Sequence, residues 1–578
     1  MNRLLLLALS FSGVNALSVR PSNSTECRVI PGDAAWPKAS DWASLNNQVE
    51  GKLISNIPIG AVCHNTFVSS TLGTVNTYDA AKCNKLRAHW FEGETHMSHP
   101  SSPMQYSATN NSCNPFDTDP NSPCTIGNHV LYSINATKPS HIQAGIKFAK
   151  KHNIRLIIRN TGHDFLGKST GPHSLAIWMH TFKSREFINK WNGPDGYKGK
   201  AIRLGAGVQG FEAYAFAQSK GVVILSGNCP TVGITGGYTQ GGGIGPLSSI
   251  HGLAADQVLE YTVITAKGDL VTANSKSNTD LFWALRGGGA GTFGVVTSMT
   301  VKVFQDKRTS SALITVLDSG NNTDAIYSGV ETFISVELPK LVDNGIYIIW
   351  VLQPAGFLIQ VRIAHGKPKS ELDAFLAPTV QIFSSLGLTP EYLSWDFPDF
   401  LTAYKTAPGG QLNVSDLMYG GRLIPRSVST DPARVGALVA AIRHVGTRTP
   451  ISGVAFNVSG SVSSPGDVAV NPLFRTTLFN LVLGVYMNYS DWQSNMDNMN
   501  LITQDYVRGI EQATPGGGAY LNEADVQQPN WQDAFYGSHW GRLSQIKKKY
   551  DPTAVFYSRT AVGSEQWEER LDGRLCKV

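Results

Sequence analysis

The stretch RNTGHDFLG, residues 159–167, sets a histidine beside an aspartate between an apolar run and a Ser/Thr-rich loop. Asn, Gly and Asp are turn formers, so taken alone the stretch reads as a surface turn carrying a hydrogen-bonded His163–Asp164 pair. A denser signal follows at residues 227–271, GNCPTVGITGGYTQGGGIGPLSSIHGLAADQVLEYTVITAKGDLV, with glycines at 227, 233, 236, 237, 241, 242, 243, 245 and 252. No helix or strand is expected to tolerate that density. Glycine lets backbone approach a ligand closely and turns N–H groups toward an anion, which suits a pyrophosphate. Cys229 heads this loop, as either an inert buried thiol or a site of covalent chemistry. Two further segments match G-x-G-x-x-G. Residues 205–210 follow a strand pattern and precede a helix, as a dinucleotide fingerprint does, but no acidic residue stands in 222–230 to hold a ribose; residues 289–294 have the reverse order, helix then strand. A nicotinamide-dependent enzyme is therefore the weaker reading.

The elements that must position these loops are legible in the periodicity. HVLYSIN, HIQAGIKFAKKHN and IRLIIRN alternate strand, amphipathic helix and strand, and AIRLGAG, GFEAYAFAQSKG and VVILSG repeat that order. This is an α+β nucleotide-binding layout in two small sub-units. After about residue 305 come SALITVL, GIYIIWVLQ, FLIQVRIAHG, ISGVAFNVSG and FNLVLGVYMN, strands of a broad sheet, with PARVGALVAAIRHVG as a helix against it. Before residue 124 the chain is rich in Pro, Ser, Asn and Cys, and only WASLNNQVEGKLI reads as helical.

At 578 residues the chain is expected to form two or three domains. Its net charge of +5, with no basic run beyond Lys547 to Lys549, gives no footprint for nucleic acid. The start, Met1-Asn2-Arg3 followed by LLLLALSFSGVNA, has the positive, apolar and small-residue regions of a secretory signal, and it is too short to span a membrane. Sequons at Asn23, Asn110, Asn135, Asn321, Asn413, Asn457 and Asn488 suit a secreted protein or one in a secretory vesicle. Of the 7 cysteines, Cys27, Cys63, Cys83, Cys113 and Cys124 crowd the front, Cys576 ends the chain and Cys229 is left over. Several pairings are open; Cys63–Cys83, Cys113–Cys124 and Cys27–Cys576, two local loops and a clasp of the termini, are favoured.

RNTGHDFLG, GNCPTVGITGGYTQGGG, HGLAADQVLEYTVITAKGDLV and DLFWALRGGGAGTFGVVTS together resemble the FAD-binding domain of the vanillyl-alcohol oxidase/p-cresol methylhydroxylase (VAO/PCMH) superfamily, berberine bridge enzyme-like branch. GAYLNEADVQQPNWQDAFYGSHWGRLSQIKKKYDPTAVF resembles the C-terminal part of that branch, and the front IPGDAAWPKASDWASLNNQVEGKLI resembles fungal isoamyl alcohol oxidase-type members of secondary-metabolite pathways. The resemblance implies an α+β fold: a two-subdomain PCMH-type FAD-binding domain plus a substrate domain with a large antiparallel sheet flanked by helices. Its expected boundaries are a signal peptide at 1–16, a disulfide-stapled extension at 17–123, the FAD domain at 124–306, the substrate domain at 307–515 and a C-terminal segment at 516–578 that returns to the FAD domain.

The resemblance also assigns residues. His163 is expected to carry the flavin through its 8α-methyl and Cys229 through C6, making bicovalent FAD, whose two bonds leave the ring face open to bulky substrates and make it a stronger oxidant. Arg159 and the N–H groups of Asn160, Thr161, Gly162 and Asp164 are expected to hold the pyrophosphate. Gly233, Gly236, Gly237, Gly242, Gly243, Gly252, Asp256, Val296 and Asn522 complete the expected cofactor set, and no metal is expected. Tyr520, in the Y-x-N position, is the expected base, against its reading as a buried core tyrosine; Tyr419 reads as a second pocket wall or a core residue. Val232 stands at an oxygen-gate position. Three positions depart from the branch: Tyr238 replaces a histidine near flavin N1, Glu523 replaces the tyrosine of the N-Y-x-D pattern that ends at Asp525, and His539 replaces an asparagine. The implied function is an FAD-linked oxidase: hydride passes from a C–H beside an alcohol or amine of a small metabolite to FAD, and O2 gives hydrogen peroxide. An oxidative cyclase, a sugar oxidase and a non-catalytic flavin-binding glycoprotein are the alternatives, and a monomer is expected.

Overall fold

A computed structural model of the chain describes residues 26–320, 322–409, 413–460 and 468–578; the expected signal segment and the sequons Asn23 and Asn321 lie outside them. The mixed α+β architecture is built on two small sheets and one broad one. In the first small sheet Tyr132–Asn135 and Leu156–Arg159 run parallel to Leu175–Trp178, which lies between them, and helix Pro139–His152 crosses over. That helix begins with Pro139 in its first turn and ends at Asn153 in the left-handed conformation, with Lys150, Lys151 and His152 against its carbonyl end. Leu53–Ser55 adds an antiparallel edge, so the sheet recruits a strand from the stretch read as extension. The middle strand, LAIW, was not among those read from sequence: it is buried throughout and has no alternation to betray it.

The second small sheet is antiparallel, ordered Leu270–Asn274, Val258–Ile264, Val295–Lys302, Ala201–Gly205, Arg185–Ile188. Helix Gly210–Gln218 follows Ala201–Gly205, as the first glycine fingerprint requires. The broad sheet has seven antiparallel strands in the order Glu391–Phe397, Thr309–Leu317, Gly356–His365, Ile348–Gln353, Ile451–Ala455, Thr477–Tyr486, Leu417–Pro425. Helices Thr323–Thr332, Lys369–Ser385 and Val435–Gly446 bury its one face around Trp350, Phe357 and Phe479. Because side chains alternate across a strand, Met418 and Ile424 enter that core while Tyr419 and Leu423 point to the other face; Phe479 and Leu481 enter it while Asn480 faces away. The second face is thereby turned toward the two small sheets.

The cysteines Cys27–Cys576, Cys63–Cys83 and Cys113–Cys124 are disulfide-bonded, as favoured from sequence, and Cys229 is free. The front is more ordered than its composition suggested, with helices Ala39–Gln48, Ala80–Ala88 and Gly93–Met97. At the other end helix Trp540–Tyr550 docks through Lys547, whose buried ammonium donates to Asp551 Oδ2 (2.7 Å), Thr292 O (2.8 Å) and Phe556 O (2.6 Å). Removing one partner of a buried ion pair strands the other charge. Lys547→Met should therefore lower stability by about 3–5 kcal/mol in urea unfolding; an unchanged midpoint would mean that the N–H groups of Val555 and Phe556 hold Asp551 on their own.

Candidate functional site

Strand Leu156–Arg159 ends at the C-terminal edge of the parallel sheet, and the 160–170 loop leaves from there. Arg159 departs in part from the sequence reading. It is fully buried, and its Nη2 donates to the carbonyls of Ser102 and His99 (3.2 Å to the latter), which clamps the N-terminal segment, while Nε and Nη1 have no partner among the described residues. Burial lowers its pKa to about 10. Gly162, at φ +97°, leaves room for it: a Cβ there would stand 2.7 Å from Nη2. Asp164 is likewise spent on its own loop, accepting from the N–H groups of Leu166 (3.1 Å) and Ser169 (2.6 Å). Thr161 is buried behind this turn. The cation that does sit in the interior is Lys168, which sequence reading passed over. It lies deep, beside Asp164, yet keeps accessible surface, and burial pushes its pKa down to about 8.

The loop brings His163 to Cys229. Cys229 Sγ lies 3.7 Å from His163 Nε2, and the hydroxyl of Thr231 bridges them, 2.6 Å from Nε2 and 3.6 Å from Sγ. Nε2 is thus engaged, and Nδ1 has no partner among the described residues. Burial holds the imidazole neutral, its pKa near 3, and pushes the Cys229 thiol up. The N-terminal segment seats on this pair: a Cβ on Gly93 would stand 2.6 Å from Thr231 Oγ1 and 3.3 Å from His163 Nε2. Residues 91–94 and Asn413 line a cleft with Cys229 and Thr231. Neither Thr231 nor this segment was singled out from sequence, because nothing local marks a contact with a residue so far away in the chain.

The glycine-rich loop is not wholly irregular. Residues Ile234–Tyr238 form one π-helical turn, broken at Gly236. The Asn160 amide packs against Gly233 and Gly236, donating to Ala206 O (2.6 Å) and leaving its buried Oδ1 without a partner. Gly237 is exposed, with nothing within 4 Å of where a Cβ would stand. Gly242 lies beside Val470 and Tyr520, and Gly243 beside Ala254 and Tyr238. Gly252 ends the short helix Ser248–His251 in a positive-φ turn. Asp256 is a second correction: it forms a buried ion pair with Arg475 (2.7 and 2.9 Å), which commits both of its oxygens. The Val296 side chain is buried in its strand opposite Val263.

Tyr520 does not have the chemistry of a base. Its hydroxyl oxygen accepts from Gly243 N–H (3.2 Å) and from Asn522 Nδ2 (2.8 Å), filling both lone pairs, and burial, then Glu523, drive its pKa up. Asn522 also donates to Gly237 O (2.9 Å), which ties the segment to the glycine-rich loop. Glu523 is the titratable group that sequence reading left unassigned. It lies deep but retains accessible surface, its Oε2 accepts from Asn480 Nδ2 (2.7 Å), and burial raises its pKa to about 7. Tyr238, Tyr347, Tyr419 and Tyr520 all feel its charge. Tyr419 stacks on Phe165 at 4.1 Å, across the interface and outside the helix-covered core. His539 stands apart, edge-on to Trp283 at 5.1 Å.

His163, Lys168, Tyr238, Tyr419 and Glu523 each lie deep yet retain accessible surface. An open glycine face at one side, an unpartnered amide oxygen and a buried cation fit a flat, polar, anionic cofactor. Two family models match the chain, "FAD binding domain" over residues 130–274 and "Berberine and berberine like" over residues 519–563. The chain is 39% identical over 573 residues to the FAD-linked oxidoreductase sor8 of Hypocrea jecorina, covering 98% of this chain and 96% of that one. It is similar to the solved VAO-type flavoprotein MtVAO615 from Myceliophthora thermophila C1, with a TM-score of 0.90 at 38% identity over 96% of this chain and 100% of that one. Glucooligosaccharide oxidase from Acremonium strictum, whose structure is described with a 6-S-cysteinyl, 8α-N1-histidyl FAD, is similar in fold, with a TM-score of 0.61 at 20% identity over 75% of this chain and 91% of that one. The open space at Gly237 supplies a check. Gly237→Ala meets no atom and needs no positive φ, so the variant should fold with an unchanged thermal midpoint but carry less flavin per protein by absorbance. Full flavin content would place the cofactor elsewhere.

Proposed function

Since the chain belongs to the berberine-like branch of the VAO-type FAD-linked oxidoreductases, we propose that it is an oxidase with bicovalent FAD, acting on a C–H bond beside an alcohol or amine of a small organic metabolite. When bound, FAD accepts hydride from that C–H bond and O2 takes the electrons away as hydrogen peroxide. The observation that carries this reading is the approach of two nucleophiles of different elements, His163 and Cys229, to 3.7 Å beside the cleft that residues 91–94 and Asn413 line. Thr231 holds His163 Nε2 and so presents Nδ1 as the free nucleophile. The Gly233–Gly237 backbone and Asn160 supply the cradle, Lys168 offsets negative charge, and Val232 stands at the oxygen side. Residues 124–306 act as the FAD domain, 307–515 as the substrate domain and 516–578 as the returning segment. A secretory route accords with the three disulfides, and Asn110, Asn413 and Asn488 are exposed sequons. The half-buried Asn135, in strand Tyr132–Asn135, has its amide oxygen enclosed and is a poor acceptor.

Acid-precipitated protein should stay yellow, and a tryptic digest should yield one flavin joining the peptides of His163 and Cys229. Each single alanine variant should retain the flavin by the other bond, and only the double variant should release it. Complete release of flavin from the parental protein by denaturant would end the bicovalent reading.

A further inference from the structure

We infer that Glu523 takes the hydroxyl proton of an alcohol substrate as the neighbouring C–H bond gives up hydride; this rests on the oxidase reading above. In the step the substrate O–H bond breaks to the carboxylate, the C–H bond breaks with its electron pair to the flavin, and a carbonyl forms. The alcohol is oxidised, and O2 restores the cofactor.

The assignment comes from counting occupied oxygens among the buried tyrosines and the carboxyl near the 520–523 turn. Tyr520 accepts two N–H donors. Tyr238 donates to Ile244 O (3.1 Å), Tyr347 accepts from Asn228 Nδ2 (2.6 Å), and Tyr419 lies stacked on Phe165 with burial driving its phenol well above the ordinary range. Glu523 differs. Asn480 holds only its Oε2, and Oε1 has no partner among the described residues although it is not sealed from solvent. The carboxyl is aimed by its surroundings: Asn480 projects from the sheet face opposite the helix-covered core, and Gly421, in the next strand, lets the Glu523 backbone in, since a Cβ there would stand 1.9 Å from Glu523 O. The titratable groups within reach of its charge are Tyr238 from the glycine-rich loop, Tyr347 and Tyr419 from the broad-sheet domain, and Tyr520 from its own segment. No cation or second carboxylate acts on it strongly. A carboxyl so placed, with a pKa raised by burial to about 7, is matched to proton transfer near neutrality. Its charge, once ionised, repels an acidic substrate, so the surroundings suit a neutral alcohol.

The test uses the flavin-loaded parent, Glu523→Gln and Glu523→Asp, mixed anaerobically with benzyl alcohol, isoamyl alcohol or glucose. The parental bleaching rate should rise with pH through about 7. Glu523→Gln should lose roughly 10²–10⁴ in rate, with a flat profile, and Glu523→Asp should recover part of it. A second readout needs no turnover. The folded pKa is raised, so the parent binds a proton that the unfolded chain has released; its stability relative to Glu523→Gln should be greatest below the ordinary glutamate range and fall as pH climbs through about 7. Bleaching of the Gln variant as fast as the parent at every pH, or a stability difference independent of pH, overturns the assignment alone. A parental flavin that dithionite bleaches and none of the three probes does overturns the functional reading and the assignment with it.

Discussion

The turn at residues 520–523 is the constraint on which the rest of the molecule depends, because one short segment is hydrogen-bonded to both of the units that face the site. Tyr520 and Asn522 bind the glycine-rich loop through Gly243 N–H and Gly237 C=O, while Glu523 binds Asn480 of the broad sheet and Gly518 pairs with Leu423. The two large apolar cores are otherwise separate, one around the second small sheet and one under the helices of the broad sheet. A third, small cluster joins them: Ile244 and Leu253 from the loop, Tyr347 and Leu423 from the sheet, Phe474, and Tyr520. Each neutral hydrogen bond is worth only about 1 kcal/mol net. Their location at the junction makes them decisive for where the site's walls stand relative to one another.

Burial sorts the charged groups into two kinds. Asp256 with Arg475, and Lys547 with Asp551, are sealed pairs whose hydrogen-bonding capacity is met inside the fold. They stabilise packing and have nothing left for a ligand. His163, Lys168 and Glu523 are equally deep but only partly satisfied, and each has a pKa displaced by desolvation. Leaving a buried polar group half-paired costs roughly 1–3 kcal/mol, a cost that persists at sites where chemistry uses the displaced group.

Sequence made the motifs legible and left side-chain direction obscure. The two small α+β sub-units, the broad sheet and the favoured disulfide pairing were readable from strand periodicity and cysteine placement, and the family resemblance put His163 and Cys229 at one cofactor. Motif position says nothing of where a long side chain turns: Nη2 of Arg159 found carbonyls of the N-terminal segment, and Asp256 found Arg475, 219 residues away. The half-exposed strand Glu391–Phe397 went unread, and of Leu417–Pro425, interrupted by paired glycines, only Tyr419 was read, as a core position. Glu523 was visible only as a departure from the branch pattern. Its significance needed the register that puts Asn480 on the same face as Leu423.

The same desolvation has different consequences at His163, Cys229, Tyr520 and Glu523. At His163 it keeps the imidazole neutral, the form in which a ring nitrogen is a nucleophile, while Thr231 takes Nε2 and leaves Nδ1. At Cys229 it disfavours the thiolate, with the Glu94 carboxylate adding to the effect, so this partner gains nucleophilicity only as its environment changes or pH rises. At Tyr520 it removes any anionic role by lifting a pKa that already lay too high for neutral water. At Glu523 it acts on a group that starts near 4.5 and brings it to about 7. An apolar site of this kind disables a phenol and enables a carboxyl, and that difference in starting point moves the proton acceptor three residues along the chain.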